Sequence, residues 1–279
     1  MPADHLSRQG KQRRTPLHIA ASGGNLEIVM AIVDNDDRLV TKTSIYYDGS
    51  IPIIIAAKAG NKDVVDYLYP ITIREKGFLK TDSITTATFL TSLIFGDFYG
   101  EALDLLQKYP DLVLFKDIDG VTAMDALSRK PSAFKSSFPT IRSGIGTLEY
   151  YFQNFMYSLL DVHVGAENAC WHTRRDVKNS FDANGESSQV PGCKHIYEEK
   201  LKHYKASVLL KEVWRLVSKI SDLGHVDVED VVVAAMFQAT QNGIEEFIKE
   251  MINYCPQLIS QFYPNSEVGS NYEGQTIFH

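Results

Sequence analysis

Thr15-Pro16-Leu17-His18-Ile19-Ala20-Ala21 is followed by Gly23-Gly24-Asn25 and then by Glu27-Ile28-Val29. Thirty-six residues on, Ile51-Pro52-Ile53-Ile54-Ile55-Ala56-Ala57 is followed by Ala59-Gly60-Asn61 and Asp63-Val64-Val65. Proline, two alanines, glycine and asparagine recur in register, and each has a mechanical reason. Threonine caps a helix, and proline suits its first turn. Paired alanines let two helices approach closely. Glycine then ends the short helix in a left-handed conformation, at Gly24 and Gly60. A second helix follows with an apolar stripe: Ile28, Val29, Ile32 and Val33 in one copy, Val64, Val65 and Leu68 in the other. A fixed period of this length is the mark of a stacked-repeat architecture.

Further copies are degenerate. Thr88-Phe89-Leu90 to Gly96-Asp97, then Ala102 to Leu106, fits a third repeat with about two extra residues before its outer helix. Asp119-Gly120 is a hairpin-turn signal, and Thr122 before Ala123-Met124-Asp125-Ala126 opens a fourth. Phe237 to Thr240, Asn242-Gly243, and Glu246 to Ile248 with Met251-Ile252 fit another pair of helices. Gly274 to His279 matches the opening of one more. Terminal repeats normally carry a polar cap, and Thr276 to His279 is a cap motif with no helix behind it. The expectation is that the sequence is a fragment, with an open apolar end around Phe247, Ile248, Met251 and Ile252.

These units resemble the ankyrin repeat, a hairpin plus two antiparallel helices. Thr15, Pro16, Leu17, His18 and Gly24, with Pro52 and Gly60, are the structural motif residues. The second copy keeps the proline and lacks the threonine and histidine. The expected fold is all-α, an ankyrin-repeat solenoid in two blocks joined by a partly disordered linker. Residues 1–130 form the first block, 131–197 the variable linker, and 198–279 a long helix plus the second block. In the linker, Ser132, Ser136, Ser137, Ser143, Gly144 and Gly146 read as loop. Tyr150 to Val164 reads as an amphipathic helix, and Asn179 to Gly192 as disorder. Glu198 to Ile220 reads as one long helix that packs Trp214 and stops at Gly224.

The layout also resembles a plant family with two ankyrin blocks, a variable linker and a C-terminal membrane region holding a Pro-Gly-Gly motif. Tyr109-Pro110-Asp111-Leu112 and Cys255-Pro256-Gln257-Leu258 follow outer helices with that family's Pro-x-Leu signature. Asn242 to Ile252 and Thr276 to His279 look like its second block. The Pro-Gly-Gly motif is absent here and would lie beyond His279. The resemblance implies a cytoplasmic interaction module beneath the plasma membrane, in stress or defence signalling. It implies membrane attachment only through that further region.

Charge and composition exclude several classes. The 279 residues carry 28 Lys plus Arg against 35 Asp plus Glu, a formal net charge of -7. A nucleic-acid binder needs the opposite sign. No run of apolar residues is long enough to span a bilayer. Met1 to Thr15 is polar and basic, without the apolar core of a secretory signal. Three cysteines, Cys170, Cys193 and Cys255, are too few and too odd for a disulfide framework. The chain therefore reads as cytoplasmic.

Catalytic signatures are missing: there is no nucleophile elbow, no His-Glu-x-x-His, no phosphate loop and no kinase loop. Asp34, Asp36 and Asp37 mimic the opening of a calcium loop. Leu39 stands where glycine is required, and Ile45 where the bidentate glutamate is required, so that reading fails. Cys170-Trp171-His172 with Cys193-Lys194-His195 offers four zinc-type ligands at strained spacing; incidental ligands on a linker are the simpler reading. That Cys/His linker carries the alternative function, metal binding or catalysis. His18 reads as structural, bonded to the threonine cap and a neighbouring backbone. Arg8, Lys11, Arg13 and Arg14 read as a solvated tail. No enzyme, cofactor, metal or small-molecule substrate is implied.

What remains is a protein-binding surface. Solenoids present extended faces built from hairpin tips and exposed inner-helix positions. By alignment these are Gln12, Arg14 and Ser22 in the first copy, and Tyr47, Asp48, Ser50 and Lys58 in the second. The expected partner is another protein.

Overall fold

The computed structural model describes residues 14–44, 49–75, 83–137, 157, 193–221 and 227–256. These residues are helical, with no strand among them. They divide into two compact units, Met1–Leu127 and Ser128–His279.

In the first unit, helices alternate between inner and outer positions. The inner helices are α1 (Pro16–Gly23), α3 (Pro52–Lys58) and α5 (Ser83–Phe95); the outer ones are α2 (Leu26–Asn35), α4 (Lys62–Arg74) and α6 (Tyr99–Lys108). α7 (Ala123–Ser128) opens the fourth repeat. α1 packs on α3, α3 packs on α5, and each inner helix packs on its own outer partner. Two inner helices carry Pro in their first turn, at Pro16 and Pro52, where an absent N–H costs nothing. The turn to the outer helix needs a positive φ. Gly24 and Gly60 supply it at about 70° and 71°, and in the third repeat Asp97 takes it at 67°. The outer helix starts two residues later in all three copies, so no extra residues precede the third one. The length difference lies in α5, which begins five residues before Thr88.

The core is continuous across these helices. Leu17, Val29, Ile53, Ile54, Val64, Val65, Leu68, Phe89, Leu93, Leu105 and Leu106 are all buried. Of the stripe expected on α2, Val29, Ile32 and Val33 are buried, whereas Ile28 is 50% exposed. Ile28 belongs to the first turn, one position off the buried seam. After α6, Pro110–Val113 forms a 3₁₀ turn that buries Leu112 and Val113.

The second unit contains α8 (Cys193–Ser221), α9 (Asp227–Gln241) and α10 (Glu245–Tyr254). α8 starts five residues ahead of the expected Glu198 and buries Trp214 fully. The Trp214 ring meets Phe247 edge-on at 5.6 Å between centroids. Phe247 and Met251, expected on an open end, are therefore covered by α8, while Ile252 stays exposed. Pro131–Ala133 and Lys135–Ser137, expected as loop, form two 3₁₀ turns that bury Ala133 and Phe134. The Ser136 N–H donates to Glu246 Oε1 at 3.0 Å, and the Glu245 N–H donates to Ser136 Oγ at 3.2 Å. Gly243 (φ 69°) repeats the left-handed turn between α9 and α10. The Tyr150–Val164 helix, apart from Tyr157, and the Asn179–Gly192 segment lie outside the described residues, as do Gly224 and Gly274–His279.

Candidate functional site: the inner-helix face

The inner helices are locked together end to end, and this fixes what their outward positions display. In α1 the backbone N–H of Thr15 donates to His18 Nδ1 at 3.2 Å, so Nδ1 is the acceptor and the proton sits on Nε2. The Thr15 hydroxyl donates to the same nitrogen at 2.7 Å. His18 Nε2–H then donates to the Ser50 carbonyl at 3.1 Å, tying the first repeat to the second. At the other end of α1, Asn61 Nδ2 donates to the Ala21 and Ser22 carbonyls at 2.8 and 2.9 Å. The last carbonyls of a helix lack internal partners, and Asn61 supplies them from the next repeat. A Cβ at Gly24 would come within 2.7 Å of Asn61 Oδ1. A Cβ at Gly96 would come within 2.5 Å of the Ala57 carbonyl. The C-terminal ends of neighbouring inner helices thus approach at backbone distance.

Seven residues after each cap position stand Ser22, Lys58 and Phe95. All three are exposed, Phe95 to 39% despite its size. The face between them is closed by buried alanine, isoleucine and leucine side chains. Thr88 Oγ donates to the Ile84 carbonyl at 2.9 Å and accepts the Ile118 N–H at 3.3 Å. Thr91 Oγ donates to Asp117 Oδ2 at 2.7 Å. The fourth hairpin is thereby fastened along α5, with Ile84 55% and Ile118 45% exposed. Phe95 lies eleven residues after Ile84, on the same helical face.

Of the residues expected to bind, Ser22 and Lys58 are exposed and Arg14 is half-buried. Ser50 is a correction. It is only 2% exposed, and its carbonyl accepts from both His18 and the Ser44 N–H, so it holds the hairpin rather than a partner. Gln12, Tyr47 and Asp48 lie outside the described residues. Among the motif residues, Thr15, Leu17, His18 and Pro52 are buried, Pro16 is half-buried, and Gly24 and Gly60 are left-handed. The sequence reading missed Phe95, Ile84 and Ile118. Register places Phe95 in the column begun by Ser22 and Lys58, but only its exposure marks it as a candidate.

Of the four Cys and His residues in the zinc-type set, Cys170 and His172 are outside the described residues. Cys193 begins α8, and His195 is exposed one half-turn on. Among the described residues no three His, Cys, Asp or Glu converge as a metal site. The Asp34 to Arg38 segment is a capped turn. Asp36 Oδ1 accepts the Arg38 N–H at 3.2 Å and Arg38 Nε at 2.9 Å. The hydrogen-bonded Arg38 guanidinium holds the Asp36 carboxyl below its usual range. An open cleft of about 550 Å³ between this turn and Tyr67, Ile71 and Arg74 is rimmed by charges of both signs.

The family model for ankyrin repeats, in three copies, matches residues 2–76. The chain carries ankyrin repeats. Its described part is all-α, and the stacked pairs α1–α2 and α3–α4 fall within the stretch that matches ankyrin repeats. No curated protein matches the chain. Ankyrin repeats generally mediate protein–protein interaction and are typically non-catalytic. Among the described residues no helix is long and apolar enough to cross a membrane.

Proposed function

We propose that this chain is a non-catalytic protein–protein interaction module that docks its partner on the inner-helix face of the first unit. One observation carries this reading. Three successive inner helices leave Ser22, Lys58 and Phe95 exposed at one register position, on a face that also exposes Ile19 and Ile84. A phenylalanine held on a face this rigid gains apolar burial when a partner covers it. Aromatic and basic side chains are also the types that dominate binding energy.

The setting we propose is plant stress or defence signalling, on the cytoplasmic side of the plasma membrane. The support is the resemblance carried by Tyr109-Pro110-Asp111-Leu112 and Asn242 to Ile252. Affinity capture from plant cell extract tests the reading. The wild-type chain should retain a defined partner that a Lys58→Glu, Phe95→Ser variant loses, with both proteins still folded at the assay temperature by circular dichroism. Identical partner sets on the two proteins would refute docking at this face.

A further inference from the structure

The first two repeats differ in what they leave open on the side facing back along the stack. Aligned on Gly24 and Gly60, Ile28, Ala31 and Asn35 of α2 correspond to Val64, Tyr67 and Ile71 of α4. In each helix the three residues stand three and four apart, so they share one face. On α4 that face is turned to the first repeat. Val64 is fully buried, and Tyr67 and Ile71 are half-buried, lining the cleft against Val33 to Arg38. On α2 the same positions are open: Ile28 is 50% exposed, and Ala31 and Asn35 are exposed too. The inner helices repeat the contrast. Ile55 is half-buried, whereas its counterpart Ile19 is exposed, at the edge shared with the inner-helix face. The acids of α2, Glu27 and Asp34, stand in the next column, with Met30 between them. Their counterparts on α4, Asp63 and Pro70, are exposed, so this column faces solvent in both repeats.

We propose that a second copy of this chain covers this end face, through Ile28 and Ala31 of both α2 helices, giving a reversible two-fold dimer. The face continues an interface the molecule already makes. Between the first and second repeats, the same column is covered by an aliphatic helix pair of ankyrin type, and every copy presents such a pair in its own α1–α2 end. A two-fold contact is self-complementary, so each Ile28 and Ala31 meets the partner's. The column holds no ionisable side chain, which lets two chains of formal net charge -7 approach there and not elsewhere on the acidic outer helices. The face is one helix pair wide, below the roughly 800 Å² per partner of a standard interface, so association is weak and concentration-dependent. It is independent of docking on the inner-helix face, since neither Lys58 nor Phe95 takes part.

Sedimentation velocity on the full chain tests this, at chain concentrations from about 5 µM to about 500 µM, the range in which a weak contact forms. Wild type should pass from monomer to dimer across it. An Ile28→Glu, Ala31→Glu variant should weaken the dimer at least about tenfold, because each copy would then bury two carboxylates. Ile28→Gln, which adds no charge, should weaken it several-fold. These side chains are exposed, so both variants should keep the wild-type circular dichroism. Phe95→Ser should leave the dimer unchanged, which separates this contact from docking on the inner-helix face. Raising salt from about 0.05 M to about 0.5 M should strengthen association by screening the repulsion between the two acidic chains. A monomer at every concentration would overturn the proposal, as would a dimer that survives the double substitution on α2. A dimer weakened by salt would point to charge pairing, and one lost with Phe95→Ser but kept by the α2 variants would move the contact to the inner-helix face; each would overturn it. A monomer that dimerises only once residues 2–12 are removed would give the face to the chain's own leader, and would also overturn it.

Discussion

His18 joins three segments through two ring nitrogens: the Thr15 cap, the first turn of α1, and the Ser50 carbonyl of the next repeat. Replacing it with alanine leaves buried polar groups with fewer partners. His18→Ala should lower stability by about 1–3 kcal/mol, read from the chemical denaturation midpoint. Gly96 is constrained differently, by the Ala57 carbonyl that a methyl group would strike. Gly96→Ala should cost about 1–3 kcal/mol from overpacking, whereas Ser22→Ala on the exposed face should change stability by less than about 0.5 kcal/mol. A Gly96→Ala chain as stable as wild type would mean that the inner helices are not packed this closely. His18 was legible in the sequence because its cap and repeat context leave it one structural role. Ser50 was not, because alignment gives its register but not its burial. Ser44 and His18 both bond its carbonyl, and the residue is buried.

At the scale of elements, the two alanine-rich inner helices and their glycine turns were readable from residue types alone. The third repeat was legible in register but not in length. Ser83 to Ala87 adds helix ahead of the cap position, and Asp97 takes a backbone conformation that the pattern reserves for glycine. The second unit was the least legible. Its serine-rich start reads as loop, yet Phe134 is buried and Ser136 is bonded to Glu246. Composition cannot signal contacts made across about a hundred residues of chain. The α8 helix makes two predictions. Trp214→Ala should cost about 3–5 kcal/mol, since it removes a fully buried ring packed on Phe247. Trp214→Phe should cost much less, because the Nε1–H of Trp214 has no hydrogen-bond partner among the described residues.

His203, on the same helix, gives the second unit a pH dependence. Its Nδ1 lies 2.9 Å from the Tyr157 hydroxyl, and Nε2 lies 3.8 Å from Glu199. Burial lowers its pKa from 6.5, against the opposing pull of Glu199. The unfolded chain then binds the proton first as pH falls. Stability from this group is complete above about 6.5 and is lost as pH drops toward the folded value. Denaturation midpoints of the second unit should fall with acid across that window, and His203→Gln should flatten the slope. An unchanged slope in that variant would remove His203 as the cause.

For the whole molecule, the repeat architecture was legible because a stacked repeat advertises its period. The location of function was legible only in part. Lys58 and Ser22 followed from alignment, but Phe95 required knowing that its ring remains exposed when the stack is complete. Hydrogen exchange on the full chain, with and without a bound partner, tests the central claim most directly. The account predicts slowed exchange at the inner-helix ends, around residues 20–24, 57–61 and 94–98, with the outer helices α2, α4 and α6 unchanged. Protection confined to those outer helices would contradict it.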